Sequence, residues 1–274
     1  MLIFASTRGY RELLSTGIEV LVKASTSDPY LSAVSKGVVD KHDDGWGYIL
    51  VELSGEPRIN YYRSVKPVFM DQEAVDKLIE YVRETSSPIL GVVHSRKAGR
   101  REPVTIIDTH PFHAITSDGY DLWLAHNGGV DKENLARLAG IHGLTSRADS
   151  LVLTEFIASR GLDNFRESLG IAVANTLSAL NLGIIVLEPG NARLVTTSYS
   201  YYTYSPENNK ARYDYYKLYM YRTKDLVLYM SSTLVDYYGF LRGTVRQLPR
   251  NYLGEVVISG KVIEVTKGEI TSSR

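Results

Sequence analysis

The sequence predicts a layered α+β fold, with helices outside and sheet inside, and three observations carry that prediction. Helical periodicity is concentrated in the first two thirds of the 274 residues, and strand patterning dominates the last third. The runs Ile89-Leu90-Gly91-Val92-Val93 and Gly183-Ile184-Ile185-Val186-Leu187 are apolar on both faces, so their strands must be covered above and below. Short glycine-containing links separate the C-terminal strands, which favours antiparallel hairpins.

Taken in order, residues 2–5 form a short apolar strand. Tyr10, Leu13, Leu14, Ile18 and Leu21 fall on one helical face. A strand over 46–52 follows, then a helix over 71–85 with Val75, Leu78, Ile79 and Val82 on one stripe, then a strand over 89–94. Residues 122–125 are a strand, and helices are expected over 132–139, 147–160 and 165–180, the last with Phe165, Leu169, Val173, Leu177 and Leu180 aligned. Strands over 183–187, 193–197, 216–221, 226–230, 255–259 and 262–266 complete the pattern. No internal repeat and no Pro- or Ser-rich linker interrupts it, so 1–274 reads as one domain.

Composition excludes several classes. With 31 Lys+Arg against 31 Asp+Glu there is no basic excess, which argues against nucleic acid as a partner. The absence of cysteine removes disulfides, zinc–thiolate sites, iron–sulfur clusters and any thiol nucleophile. The apolar start Met1–Ala5 is too short for a signal sequence, and no run approaches the ~18–20 apolar residues of a membrane helix. The expectation is a cytoplasmic protein without a membrane partner.

Ten of the 20 tyrosines lie between Tyr199 and Tyr229, around Ser205-Pro206-Glu207-Asn208-Asn209. A long hairpin with aromatic cross-strand pairs is the simpler expectation, and a protein-binding surface the sharper one.

Four motifs sit where strands end or turns begin: His42-Asp43-Asp44-Gly45-Trp46-Gly47, His94-Ser95-Arg96-Lys97-Ala98, Asp108-Thr109-His110-Pro111-Phe112 and Ala125-His126-Asn127-Gly128-Gly129. A fifth, Arg147-Ala148-Asp149-Ser150, opens a helix. Singly they are weak: Asn-Gly and Asp-Gly are common turn signals. In this order they resemble the class II glutamine amidotransferases, a branch of the N-terminal-nucleophile hydrolases, and above all their small stand-alone members. The pattern of those members runs Cys-Arg-Leu-Leu-Ala, Asp-Gly-Trp-Gly, His-Val-Arg-x-Ala, Asn-Thr-His-Pro-Phe, Ala-His-Asn-Gly. The motif-bearing part covers about residues 1–155. The C-terminal strands over about 183–268, with Ser231-Ser232-Thr233-Leu234 and Leu248-Pro249, match less specifically.

The resemblance implies a four-layer αββα sandwich, two antiparallel sheets between helix layers. It implies that Asn127 and the Gly128 backbone N–H form an oxyanion hole, that Arg96 grips a substrate α-carboxylate, and that Asp149 accepts from the substrate α-amino group. It implies no cofactor and no metal. One position departs from the pattern. Met1 stands where the family has its N-terminal cysteine, and a thioether has no proton to lose and cannot attack an amide. Trp46 is expected to fill the core between the sheets.

The expected function is therefore a glutamine amidotransferase-like protein unable to hydrolyse glutamine, which binds glutamine, a related amino acid or a protein partner through the retained pocket. Two alternatives stand beside it: an active enzyme with a differently processed N-terminus starting at Ser6 or Thr7, and a structural subunit whose pocket has closed. Simpler roles remain for single residues: Asn127-Gly128 as a turn, Asp149 as a helix cap, Arg96 in a salt bridge. A metal site built from His42, Asp43, Asp44, His94, His110 and His126 is a weaker reading, because none of them has the close spacing of a preformed ligand set.

Overall fold

The computed structural model describes residues 1–7, 9–100, 102–143, 147–188, 191–199, 204–259 and 262–270. The chain begins with strand β1 (Leu2–Ser6), helices α1 (Arg11–Thr26) and α2 (Pro29–Val34), and strands β2 (Trp46–Ser54) and β3 (Glu56–Ser64). Helix α3 (Gln72–Glu84), strands β4 (Ile89–Ser95), β5 (Phe112–Ile115) and β6 (Asp121–Val130), and helices α4 (Lys132–Ala139), α5 (Asp149–Ser159) and α6 (Phe165–Ala174) follow. Next come β7 (Thr176–Glu188), β8 (Asn191–Tyr199), α7 (Pro206–Tyr216), β9 (Leu218–Arg222), β10 (Leu226–Ser231) and α8 (Ser232–Asp236). The last strands are β11 (Arg246–Gln247), β12 (Asn251–Ser259) and β13 (Val262–Gly268).

Among the described residues the strands make two antiparallel sheets, ordered β11-β9-β10-β1-β4-β2-β3 and β13-β12-β8-β7-β6-β5. Alternation along each strand explains the layering, because successive side chains point to opposite faces. On β1, Leu2 and Phe4 pack with Leu14 and Ile18 of α1 and Leu78 and Val82 of α3. Ile3 and Ala5, on the other face, pack with Ile185 and Leu194 of the second sheet. That sheet's outer face, with Leu122, Ile184 and Val186, is covered by Val152 and Phe156 of α5 and Leu169 of α6. Strands β4 and β7 are apolar on both faces because each divides two cores, the four-layer arrangement the sequence implied.

Three differences from the sequence reading have physical causes. Helix α6 stops at Ala174, and residues 176–188 form β7 instead of a last helical turn. Asn175 and Thr176 turn their side chains back onto the carbonyls of Ile171 and Ala172, and β7 then pairs with β6 from Val130↔Thr176 to Asp121↔Leu187. The long sheet ladder overrides the local helical stripe. The tyrosine-rich segment is a hairpin only in its second half, where β9 pairs with β10. Its polar stretch 205–209 opens α7: Ser205 accepts from Asn208 N–H, the Asn208 side chain returns the bond, and Pro206 holds the first turn. Residues 200–203 of that segment lie outside the described residues. Trp46 fills the layer between the seven-stranded sheet and α1/α3 rather than the inter-sheet core, and its indole N–H donates to Asp71 Oδ2 at 3.0 Å.

Candidate functional site

Register places the motifs together. β1 pairs with β4 through Leu2↔Val93 and with β10 through Leu2↔Met230, and β2 meets β4 at Trp46↔Ser95. The starts of β1 and β2 and the ends of β4 and β10 therefore share one rim of the first sheet. Facing it, the end of β6 carries Asn127 and Gly128. Between these edges lies a cavity of about 450 Å³, and Met1, Arg96, Asn127, Gly128 and Asp149 all line it.

Arg96 continues β4 past its last ladder pair. Its N–H donates to Gly45 O at 2.8 Å, and its carbonyl accepts from Asp44 N–H at 3.1 Å. Its side chain is buried, with Nη1 donating to Pro103 O at 2.9 Å. Among the described residues no carboxylate lies within ion-pair distance of this guanidinium. Burial pulls its pKa down, and the fields of Asp108, Asp44, Glu102 and Asp149 oppose that. A buried cation without an ion-pair partner is costly, so an anion entering the cavity is favoured there.

Asn127 and Gly128 lie inside β6, not in a turn, and the register of β6 against β7 shifts between Gly128 and Val130. Gly128 has φ +152°, and a Cβ there would sit 1.8 Å from Ala179 O, so only glycine fits. Among the described residues the Asn127 side chain makes no hydrogen bond, which leaves its amide free toward the cavity.

Asp149 is the first residue of α5 and does not cap it. Its Oδ2 accepts from Val130 N–H at 3.0 Å, and its Oδ1 lies 3.1 Å from Ser150 Oγ. No cation lies within ion-pair distance of it among the described residues. The loop after Arg96 closes the start of the helix: Glu102 accepts from Asp149 N–H at 3.0 Å, and Asp108 accepts from Ala148 N–H at 2.7 Å.

Met1 packs with the inter-sheet core and also borders the cavity. Its amino group donates to Ser231 Oγ at 3.0 Å. Burial lowers that amine to about 5, against the opposing field of Asp28. Asp28 is itself saturated. It accepts from Tyr30 N–H, Leu31 N–H and Thr233 Oγ1, and lies 2.9 Å from His42 Nε2. Burial pushes its carboxyl up, but the bond and charge of His42 and the bonds from Thr233 and Leu31 outweigh that and hold it below the usual range.

The residues of the metal reading part into separate pairs. His42 goes to Asp28, Asp43 and Asp44 to Lys97, and His126 to Ser150. His94 lies against His110, with ring centroids 4.3 Å apart and planes tilted by 37°, and burial holds both well below the ordinary imidazole range. Among the described residues no three His, Asp or Glu side chains gather as a metal-holding group. Sequence reasoning missed the roles of Asp28, Glu102, Ser150 and Ser231. Ser150 and Ser231 stand in quoted motifs, but the partners of all four come from other elements.

No family model matches the sequence, and no curated protein matches it. Solved structures do match. Glutamine phosphoribosylpyrophosphate amidotransferase from B. subtilis, in complex with ADP and GMP, aligns over 100% of this chain and 50% of its own at 14% identity, with a TM-score of 0.54. A structure described as the allosteric regulatory enzyme of purine biosynthesis aligns over 100% of this chain and 50% of its own at 14% identity, with a TM-score of 0.55. The chain thus spans half the length of these solved chains, and the likeness is one of fold. Among the described residues no helix is long and apolar enough to cross a membrane.

Proposed function

We propose that this chain, whose fold is that of the class II glutamine amidotransferases, binds glutamine or a related α-amino acid in the cavity without hydrolysing it, the whole of 1–274 serving as one domain. One observation carries the reading: a buried cation, Arg96, and a half-buried anion, Asp149, line the same cavity, and neither has an ion-pair partner among the described residues. A zwitterionic α-amino acid supplies both missing partners, its carboxylate to the planar guanidinium and its ammonium to the carboxylate. A side-chain carboxamide then points toward Asn127 and the Gly128 N–H, the pair suited to an oxyanion.

Chemistry stops there. Hydrolysis by the route of this fold needs a thiolate to attack the amide carbon, and the 274 residues contain no cysteine. The methionine thioether carries no ionisable proton. Cleavage before Ser6 or Thr7 would remove β1, which lies between β10 and β4 in the seven-stranded sheet, so the processed-enzyme alternative conflicts with the fold. The closed-subunit alternative conflicts with a cavity of about 450 Å³.

Calorimetric titration with L-glutamine and L-glutamate tests the reading. Binding lost in Arg96→Ala is expected, and absence of heat with both amino acids rejects it. Ammonia release is expected to stay at buffer level for the native chain, with intact mass fixing its first residue. In Met1→Cys, with the α-amino group of that cysteine free, glutaminase turnover is the expected gain.

A further inference from the structure

We propose that Ser150 is a positioning residue whose single hydroxyl proton is held by neutral His126, leaving Asp149 Oδ1 open to the ammonium group of a ligand. The proposal deepens the amino-acid reading above and rests on it for the ligand's identity. It is carried by a three-residue chain behind the cavity wall. His126 is buried, with Nε2 at 3.0 Å from Ala179 O and Nδ1 at 2.9 Å from Ser150 Oγ. Ser150 Oγ lies in turn 3.1 Å from Asp149 Oδ1.

Donor counting fixes the direction of the bonds. A carbonyl oxygen can only accept, so the Nε2 proton of His126 goes to Ala179. In the neutral ring Nδ1 is then bare and needs a donor, since a buried unpaired acceptor is costly. Ser150 is that donor. It has one proton for two acceptors, and giving it to His126 leaves Asp149 Oδ1 without a hydrogen bond from the protein. Asp149 Oδ2 already accepts from Val130 N–H. Oδ1 then keeps both of its lone pairs for a ligand ammonium, where Oδ2 has one left.

Protonating His126 reverses the chain. Nδ1 becomes a donor to Ser150 Oγ, and the hydroxyl proton turns to Asp149 Oδ1 and competes with the ligand. Burial holds the imidazole below its ordinary range, with the Asp149 field and the Ala179 bond opposing, so the neutral form prevails near pH 7. The titratable groups whose charge acts on His126 are Asp149 on α5, His94 on β4 and His110 before β5, with Arg96 on the same cavity. The same chain clamps the oxyanion segment, since His126 and Asp149 hold β6 on either side of Gly128-Gly129.

Two sets of measurements test this. Long-range proton–nitrogen correlation on histidine-labelled protein without ligand is expected to show His126 as the Nε2–H tautomer at pH 7.5. Ser150→Ala is expected to move its Nδ1 resonance and its titration, and Ser150→Thr to restore them. An Nδ1–H tautomer, or a titration unchanged in Ser150→Ala, overturns the proposal whether or not any amino acid binds. Calorimetry then compares L-glutamine with its analogue lacking the α-amino group. Native affinity for L-glutamine is expected to fall about tenfold as His126 gains its proton, the worth of one hydrogen bond to a charged group. Ser150→Ala should lose most of that fall, and the analogue should not show it. An equal fall for both ligands, or one that survives in Ser150→Ala, also overturns the proposal. Failure of L-glutamine to bind at any pH rejects the amino-acid reading, while the tautomer and titration still decide the chain.

Discussion

Two parts of the cavity lining treat charge in opposite ways. In one, Asp28 has two backbone donors, a threonine hydroxyl and His42, and nothing is left for a ligand. In the other, Arg96 has one carbonyl acceptor, and Asp149 one backbone donor and a contested hydroxyl. A saturated buried charge ties elements together: Asp28 joins the start of α2 to His42 and α8. An unsaturated one adds little to folding and much to binding.

The largest expected effect concerns the imidazoles on the same cavity. His94, His110 and His126 are each held below the ordinary value of 6.5 by burial. Below that value the unfolded chain takes up these protons before the folded chain does. Their stabilising contribution is therefore complete above pH 6.5 and declines as pH falls, by about 1.4 kcal/mol per pH unit for each histidine. Urea unfolding at pH 7.5, 6.5 and 5.5 should show this slope, and a plateau down to pH 4.5 would contradict it.

Asp28→Ala should cost about 3–5 kcal/mol in urea unfolding, the range for breaking a buried ionic network. Its contribution is complete above the ordinary carboxyl value of 3.8 and is lost as pH falls below it, since the folded carboxyl is depressed. Equal loss of L-glutamine affinity without loss of stability would erase the contrast between the two parts.

Arg96→Ala should do the reverse. We expect an affinity loss of about 30-fold or more, from truncating one partner of a buried charge pair, with unfolding free energy unchanged or raised. The smallest effect tests the saturated part alone. Thr233→Val removes one donor to Asp28 and should cost about 1 kcal/mol while leaving L-glutamine titrations unchanged.

Legibility followed the reach of each interaction. Strands β4 and β7 were readable because burial on both faces writes a continuous apolar run. Helix α7 was not, although its start carries Ser205-Pro206 and Asn208 in capping positions, because the ten tyrosines between Tyr199 and Tyr229 gave a stronger strand signal around it. Arg96, Asn127, Gly128 and Asp149 stand in motifs and could be named. Ser150 follows Asp149 directly, yet its link to His126 appears only when α5 docks on β6.

By itself the sequence determined the apolar periodicities, hence which faces had to be covered, and it determined that no thiol is available. Only the tertiary structure decided which charges are satisfied. That depends on which donors from α2, α5, β6 and α8 come within about 3 Å of a given oxygen. Strand register sets those meetings, and residues distant along the chain carry no local mark of it.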